Sequence, residues 1–287
     1  MLKDTLFPTK NTLNCQGKCI DLSEPVVMGI LNLTPDSFFA GSRQWQKPTE
    51  ALLETASTML ADGALFLDLG AYSTRPGALD ISIQEEVDRL LPVVEMLHKH
   101  MPQALLSVDT FRSEVAEKAL LAGAHLVNDV SGGTLDTAMF ATIAKYKAPY
   151  VLMHMRGTPQ TMQQYTQYAH LVPEVVAELL NKAHMLHQMG VADVILDPGF
   201  GFAKTIDQNF ELLRHLDQLA LYGYPVLAGL SRKSMVYRTL NGTADTALNG
   251  TTVLNTIALS KGARILRVHD VKPAAEAIQL YKKLETL

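Results

Sequence analysis

No apolar run in this sequence approaches the ~20 residues that a membrane-spanning helix requires. Its first 18 residues also lack the apolar core of a signal peptide. A cytoplasmic protein with no membrane association is therefore expected. Cysteine is scarce: only Cys15 and Cys19 occur in 287 residues. Their spacing is not C-x-x-C and no second pair follows, which favours ordinary reduced thiols beside a Gln16-Gly17-Lys18 hairpin turn. Excess positive charge is missing too. A formal net charge of -4 argues against a broad nucleic-acid surface, so an anionic ligand must meet a local group of cations. No linker or low-complexity tract divides the chain. One domain of α/β size is expected.

What is present is alternation. Hydrophobic residues make up 47% and charged residues 19%, enough to bury a substantial core. Apolar runs of strand length occupy 26–31, 64–69, 104–108, 125–127, 149–153, 192–196, 225–228 and 263–268. Segments of helical periodicity lie between and after them, at 49–61, 83–98, 113–121, 136–146, 172–189, 208–221, 246–260 and 272–284. Gly63, Gly123, Gly190, Gly223 and Gly262 each stand where a helix should end and a strand begin. Eight such units in one order predict a single (β/α)8 barrel over 26–287, with residues 1–25 forming a hairpin across its bottom. An open dinucleotide-binding sheet needs a Gly-rich turn after its first strand, and Asn32-Leu33-Thr34-Pro35-Asp36 stands there instead. Gly199-Phe200-Gly201 lacks the third glycine, Lys204 taking its place, and Arg232 before Lys233 spoils a phosphate loop.

In such a barrel the carboxyl end of every strand faces one cavity. The residues there are Asn32, Ser73-Thr74-Arg75, Asp109, Asn128, His154, Asp197, Lys233 and Arg267-Val268-His269. Two carboxylates and an amide suit a flat heterocycle rich in N–H donors; Lys, Arg and His suit a phosphate or a carbonyl oxygen. Each has a plainer reading. Asp109-Thr110 can cap the third helix, while Asn128-Asp129 and Asp197-Pro198-Gly199 are turn signals. Lys233, Arg267 and His269 can be solvated surface groups. The loops 40–43 and 75–78 read as exposed and mobile, and 155–166 is the longest polar connection.

Several segments then match one family. They are 28–38, Ser73-Thr74-Arg75-Pro76-Gly77-Ala78, Ser107-Val108-Asp109-Thr110, 127–133, Leu152-Met153-His154-Met155, 197–202, Leu230-Ser231-Arg232-Lys233-Ser234 and Arg267-Val268-His269-Asp270-Val271. On these the chain resembles the dihydropteroate synthases from residue 26 to its end. One departure is Gly70-Ala71-Tyr72, where the family often has Gly-Gly-Glu.

The resemblance implies a barrel enzyme of folate biosynthesis, a homodimer using magnesium. It would join 6-hydroxymethyl-7,8-dihydropterin diphosphate to 4-aminobenzoate. Asp109, Asn128, Met153, Asp197, Phe202 and Lys233 would hold the pterin. Asn32, Thr74, Arg267 and His269 would hold the diphosphate, with Asn32 the magnesium contact. Arg75, Pro76, Phe202 and Ser234 would bind aminobenzoate, its carboxylate at the start of the seventh helix. Asp109, Asp197, Lys233, Arg267 and His269 would carry the chemistry. Two other readings use a similar barrel: a methyltetrahydrofolate-binding methyltransferase and a non-catalytic pterin-binding paralogue.

Overall fold

The computed structural model describes residues 9–33, 46–73 and 80–286. Near its start β1 (Thr12–Cys15) and β2 (Lys18–Asp21) form an antiparallel hairpin in which Cys15 pairs with Lys18. Gln16 and Gly17 both take positive φ, 52° and 87°, in a two-residue turn whose twist suits paired strands. Cys15 is buried, Cys19 is exposed, and both are free thiols.

The next strands are β3 (Val26–Asn32), β4 (Ala64–Gly70), β5 (Leu105–Asp109), β6 (Leu126–Asp129), β7 (Tyr150–Met153), β8 (Val194–Asp197), β9 (Leu227–Ala228) and β10 (Ile265–Val268). They lie side by side in the order β8-β7-β6-β5-β4-β3-β10-β9, each neighbour parallel to the next. A parallel bridge between Leu196 and Val226, with the Leu196 N–H donating to Pro225 O at 2.9 Å, brings β8 against β9 and closes the ring. The helices are α1 (Gln46–Ala61), α2 (Ile83–His100), α3 (Ser113–Leu121), α4 (Met139–Tyr146), α5 (Leu171–Gln188), α6 (Ile206–Arg214), α7 (Leu216–Ala220), α8 (Ser234–Thr239), α9 (Leu248–Ser260) and α10 (Val271–Glu285). The expected (β/α)8 barrel with an amino-terminal hairpin is the observed architecture.

Two helices depart from expectation. The segment 208–221 is not continuous: it breaks at His215, whose φ of −110° and ψ of 20° leave the helical range, with Leu212, Leu213, Leu216 and Leu219 all buried. The seventh unit also carries α8 ahead of α9. The five glycines at helix ends all have positive φ, from 80° at Gly223 to 111° at Gly123.

Side chains along a strand point alternately to its two faces. The outward set, including Leu67, Leu69, Leu106, Val108, Val127 and Leu266, packs with Leu90, Leu97, Val175 and Leu179 of the helices. The inward set at the amino-terminal level is Met28, Phe66, Leu105, Leu126, Val151, Ile195, Leu227 and Ile265, one from each strand of the barrel. Leu13, Cys15 and Leu22 pack against it, so the hairpin seals that end. Among the described residues no helix is long and apolar enough to cross a membrane.

Candidate active site

Two residues beyond a member of the lower inward layer the next inward side chain appears, and on five of the eight strands it is polar. Phe66 gives way to Asp68, Leu105 to Ser107 and then Asp109, Leu126 to Asn128, Val151 to Met153, Ile195 to Asp197 and Ile265 to Arg267. Asp68 is fully buried and accepts from Ser107 Oγ at 2.5 Å, Asn128 Nδ2 at 3.0 Å and Arg267 Nε at 2.6 Å. Arg267 Nη2 reaches on to Asp109 Oδ2 at 2.7 Å. A lone carboxylate at this depth would cost several kcal/mol in lost hydration, and the guanidinium with two neutral donors offsets that cost.

Burial lifts the Asp109 carboxyl to about 7, against the pull of Arg267 and reinforced by Asp68. For Arg267 itself, burial disfavours the charge, but the Asp68 and Asp109 carboxylates more than reverse this. The guanidinium is a permanent cation.

Asp197 ends β8, buried, with Oδ1 accepting the Gly199 N–H at 2.7 Å. Burial raises its carboxyl above the ordinary range, opposed by Lys233. Gly199 has φ of +70°, and a Cβ there would stand 2.0 Å from the His154 carbonyl oxygen, so no larger residue fits. The Lys233 ammonium donates to Phe200 O and lies 4.8 Å from the centre of the Phe202 ring. Burial lowers Lys233 to about 8, with Asp197 drawing it back up. Phe202 packs with Val130, Met153 and Met155 in a small apolar cluster at the mouth. The outcome is a cup with an acid-and-amide floor, two fixed cations and one apolar wall.

Lys204, standing where a dinucleotide turn would have glycine, has a structural task. Its three N–H groups go to Gly199 O at 3.0 Å, Phe202 O at 2.9 Å and His154 Nδ1 at 3.0 Å. Because Nδ1 accepts, the neutral imidazole carries its proton on Nε2. That atom lies 3.1 Å from Glu178 Oε2, though off the hydrogen-bond direction. Burial pulls His154 down to about 4 and Lys204 down to about 7. This buried chain pins the loop that sets Phe202 beside Asp197.

Residues 28–269 match the sequence pattern of the family described as pterin binding enzyme. The chain belongs to the pterin-binding enzyme family. It is 44% identical over 273 residues to a dihydropteroate synthase of Synechocystis sp., covering 94% of this chain and 92% of that protein. The Xanthomonas albilineans dihydropteroate synthase, solved with 4-aminobenzoic acid, superposes with a TM-score of 0.88 at 35% identity, over 97% of this chain and 100% of that one. The dihydropteroate synthase of Thermus thermophilus in complex with 6HMPPP gives a TM-score of 0.82 at 38% identity, over 96% and 100%.

Within this pterin-binding barrel the residues singled out by sequence fall into three groups. Asp109, Asn128 and Arg267 share the Asp68 network, and Asp197, Lys233, Phe202 and Met153 form the adjoining wall. Asn32 is half-buried at the end of β3, and His269 Nδ1 lies 3.0 Å from Ser231 Oγ. Thr74, Arg75, Pro76 and the segments 34–38 and 40–43 lie outside the described residues.

Four readings need correction. Asp109 does not cap α3: Arg112 is the N-cap residue, and the Ser113 N–H goes to Asp136 Oδ2 at 2.7 Å. The turn role expected at Asn128-Asp129 belongs to Asp129, which accepts from the Ser131 and Gly133 N–H groups and the Tyr150 hydroxyl. His154 turns away from the rim toward Lys204 and Glu178. Ser234 begins α8, a helix of 6 residues separate from α9, and not the long seventh helix.

Sequence reasoning missed Asp68, Ser107 and Lys204. An acid inside the apolar run Phe66-Leu67-Asp68-Leu69, at even spacing from Phe66, was the available signal. Tyr72, at the family departure, stacks edge-on against Phe111 at 5.0 Å, and Arg112 lies 5.1 Å from its ring centre. Gln160 donates to its hydroxyl at 3.1 Å, tying the second loop to the long connection after β7.

Proposed function

We propose that this chain is a dihydropteroate synthase, joining 6-hydroxymethyl-7,8-dihydropterin diphosphate to 4-aminobenzoate with release of diphosphate. The observation that carries this reading is the cup floor: carboxylates, one amide and two half-buried cations gathered together, beside an apolar wall. A pterin edge rich in N–H groups meets Asp109, Asn128 and Asp197, and the Lys233 ammonium donates to a ring oxygen or nitrogen. Met153 and Phe202 contact the ring face.

The diphosphate end lies toward β3 and β10. Asp68 and Asp109 take Nε and Nη2 of Arg267, and Nη1, which has no hydrogen bond to a described residue, can donate to an anion. His269 and Thr74 add donors. Asn32 would hold a magnesium ion through its amide oxygen, a hard donor of the kind that cation takes. When bound, magnesium supplies neutralising charge to the diphosphate oxygens.

The methylene–oxygen bond breaks first, its electron pair leaving with diphosphate. The electron-rich dihydropterin delocalises the positive charge, steadied by Asp109 and Asp197. The aminobenzoate nitrogen, a weak nucleophile, then attacks the methylene and gives up its proton. Phe202 and Pro76 flank its ring; Arg75 and Ser234 receive its carboxylate. No covalent enzyme intermediate is required.

The protein acts in the cytoplasm as a homodimer. Exposed Leu248, Val253 and Ile257 of α9 with Leu280 and Leu284 of α10 offer the apolar surface for pairing. An assay with each substrate and magnesium omitted in turn tests the activity. Dihydropteroate should form only with both substrates; none under any condition overturns the reading, whereas methyl transfer or binding without turnover identifies the two rival barrels. Replacing Arg267 with Gln should weaken binding of the pterin diphosphate far more than that of the pterin alcohol. Equal losses would refute the anion role.

A further inference from the structure

The floor of the cup contains a residue whose contacts decide more than stability. Asp68 is fully buried and touches three inward side chains from three different strands, Ser107, Asn128 and Arg267. A carboxylate ion-paired with a guanidinium can only accept hydrogen bonds. The Asn128 group facing it must therefore be the NH2, and Nδ2 lies 3.0 Å from Asp68 Oδ2. An amide is planar, with its oxygen on the opposite side from its second substituent. Fixing Nδ2 fixes Oδ1. Among the described residues Oδ1 has no donor, and Asn128 stands level with Asp109 in the strand register, on the inner face above Leu126.

We infer that Asp68 is a positioning residue that sets the hydrogen-bonding sense of the cup: it claims the Asn128 NH2 and leaves the amide oxygen as an acceptor for a ring N–H of the ligand. The inference rests on the pterin reading above and sharpens it. An unconstrained asparagine presents either a donor or an acceptor, and so fails to distinguish ring edges that differ by exchanging N–H for a lone pair. With Asp68 beneath it the amide is held in one sense: Oδ1 is presented as an acceptor, and the NH2 keeps only the one N–H that Asp68 does not take. Asp109 and Asp197 are acceptors when ionised, so beside them and at Asn128 Oδ1 the floor favours a ring N–H over a lone pair. Ser107 holds the second oxygen of Asp68 at 2.5 Å, and Arg267 fixes the carboxylate plane.

The test is a set of substitutions read by binding of 6-hydroxymethyl-7,8-dihydropterin to the full-length protein. Asp68→Ala removes the acceptor that holds the Asn128 NH2, so the amide is free to present either group to the ligand. Affinity should fall about three- to tenfold, the worth of one fixed hydrogen bond. Asn128→Ala should fall by at least as much. Asn128→Asp keeps an acceptor toward the ligand but sets two carboxylates against each other, and should also weaken binding. In the double variant Asp68→Ala with Asn128→Asp the new carboxylate is an acceptor in either orientation and no second carboxylate opposes it, so affinity should recover about threefold or more over Asp68→Ala alone.

KM for aminobenzoate should stay unchanged throughout, because the second substrate does not touch this amide. A double variant no better than Asp68→Ala, or an Asn128→Ala that binds normally, overturns the inference. Should Asp68→Ala fail to fold, Ser107→Ala loosens the same carboxylate and keeps its charge. It should weaken pterin binding about threefold or more, and an unchanged affinity is equally fatal. If the unaltered protein binds no pterin, the functional reading fails instead, so the two failures are distinct.

Discussion

The barrel interior has two levels built from the same strands and only two residues apart. The lower level takes Met28, Phe66, Leu105, Leu126, Val151, Ile195, Leu227 and Ile265, sealed by Leu13, Cys15 and Leu22. The upper level holds Asp68, Ser107, Asp109, Asn128, Asp197 and Arg267 in ion pairs and hydrogen bonds. The lower level gains from removing apolar surface from water, and nothing in it can bind a polar ligand. The upper level gives up much of that gain, because every charge in it must be matched by a partner. One level holds the barrel together and the other spends stability on recognition. Substitutions should therefore separate folding from function according to level.

The largest effect is expected below. Phe66→Ala should cost about 3–5 kcal/mol of stability by leaving a cavity in the sealed layer. Pterin affinity measured well below the lowered melting temperature should be unchanged. A folded variant with strongly weakened binding would show that the two levels are not separable.

Next is Asp197→Ala in the upper level. It should lower pterin diphosphate affinity by about two orders of magnitude, the loss of a charged acceptor. Its melting temperature should fall less than that of Phe66→Ala, since the Lys233 ammonium and the Gly199 N–H lose a partner but the sealed layer stays filled. Unchanged affinity would end the assignment of Asp197.

Lys204→Met probes the support behind that wall. Losing three hydrogen bonds to the 199–204 loop and His154 should reduce kcat/KM for the pterin diphosphate about tenfold. Melting by calorimetry should show a smaller change than for Phe66→Ala, because the depressed pKa of Lys204 marks a buried charge that costs stability. A variant with full activity would show that the loop needs no such anchor.

The smallest effect is in pH dependence. Asp109, raised to about 7, loses its charge as the pH falls through that value, and Lys233, lowered to about 8, loses its charge as the pH rises through that one. The profile of kcat/KM should be bell-shaped, highest between these limits. Asp109→Asn should flatten the acid limb and leave the basic limb in place. The stability contributions have the opposite character. The raised Asp109 favours the folded state most at acid pH and loses that contribution as the pH rises toward 7, while the lowered Lys233 penalises folding until the pH passes 8. An acid limb persisting in Asp109→Asn would assign it to another group.

Legibility in the sequence follows where a residue sits on its strand. Asp109, Asp197 and Lys233 adjoin loop signals, so their place at the rim was readable. The five helix-end glycines announced the strand–helix alternation in the same way. Asp68 was not readable: it lies mid-strand, two residues before Gly70, flanked by leucines that mark β4 as core. The chain pattern shows that residues 66 and 68 share a face. It does not show that 68 stands level with Asn128 and Arg267, since that depends on the stagger between strands. His154 failed for the converse reason, having the right position but a side chain drawn behind the wall by Lys204 and Glu178.

Periodicity and helix-end glycines, local properties of the chain, were sufficient for the (β/α)8 order, the hairpin turn and the end of each strand at which chemistry gathers. Closure of the ring, the height of each inward side chain and the partner of each buried charge were decided only by the tertiary fold. The reason is physical: alternation is a property of one strand, whereas an ion pair such as Asp68 with Arg267 joins residues 199 positions apart, whose meeting depends on how eight strands are staggered around a common axis.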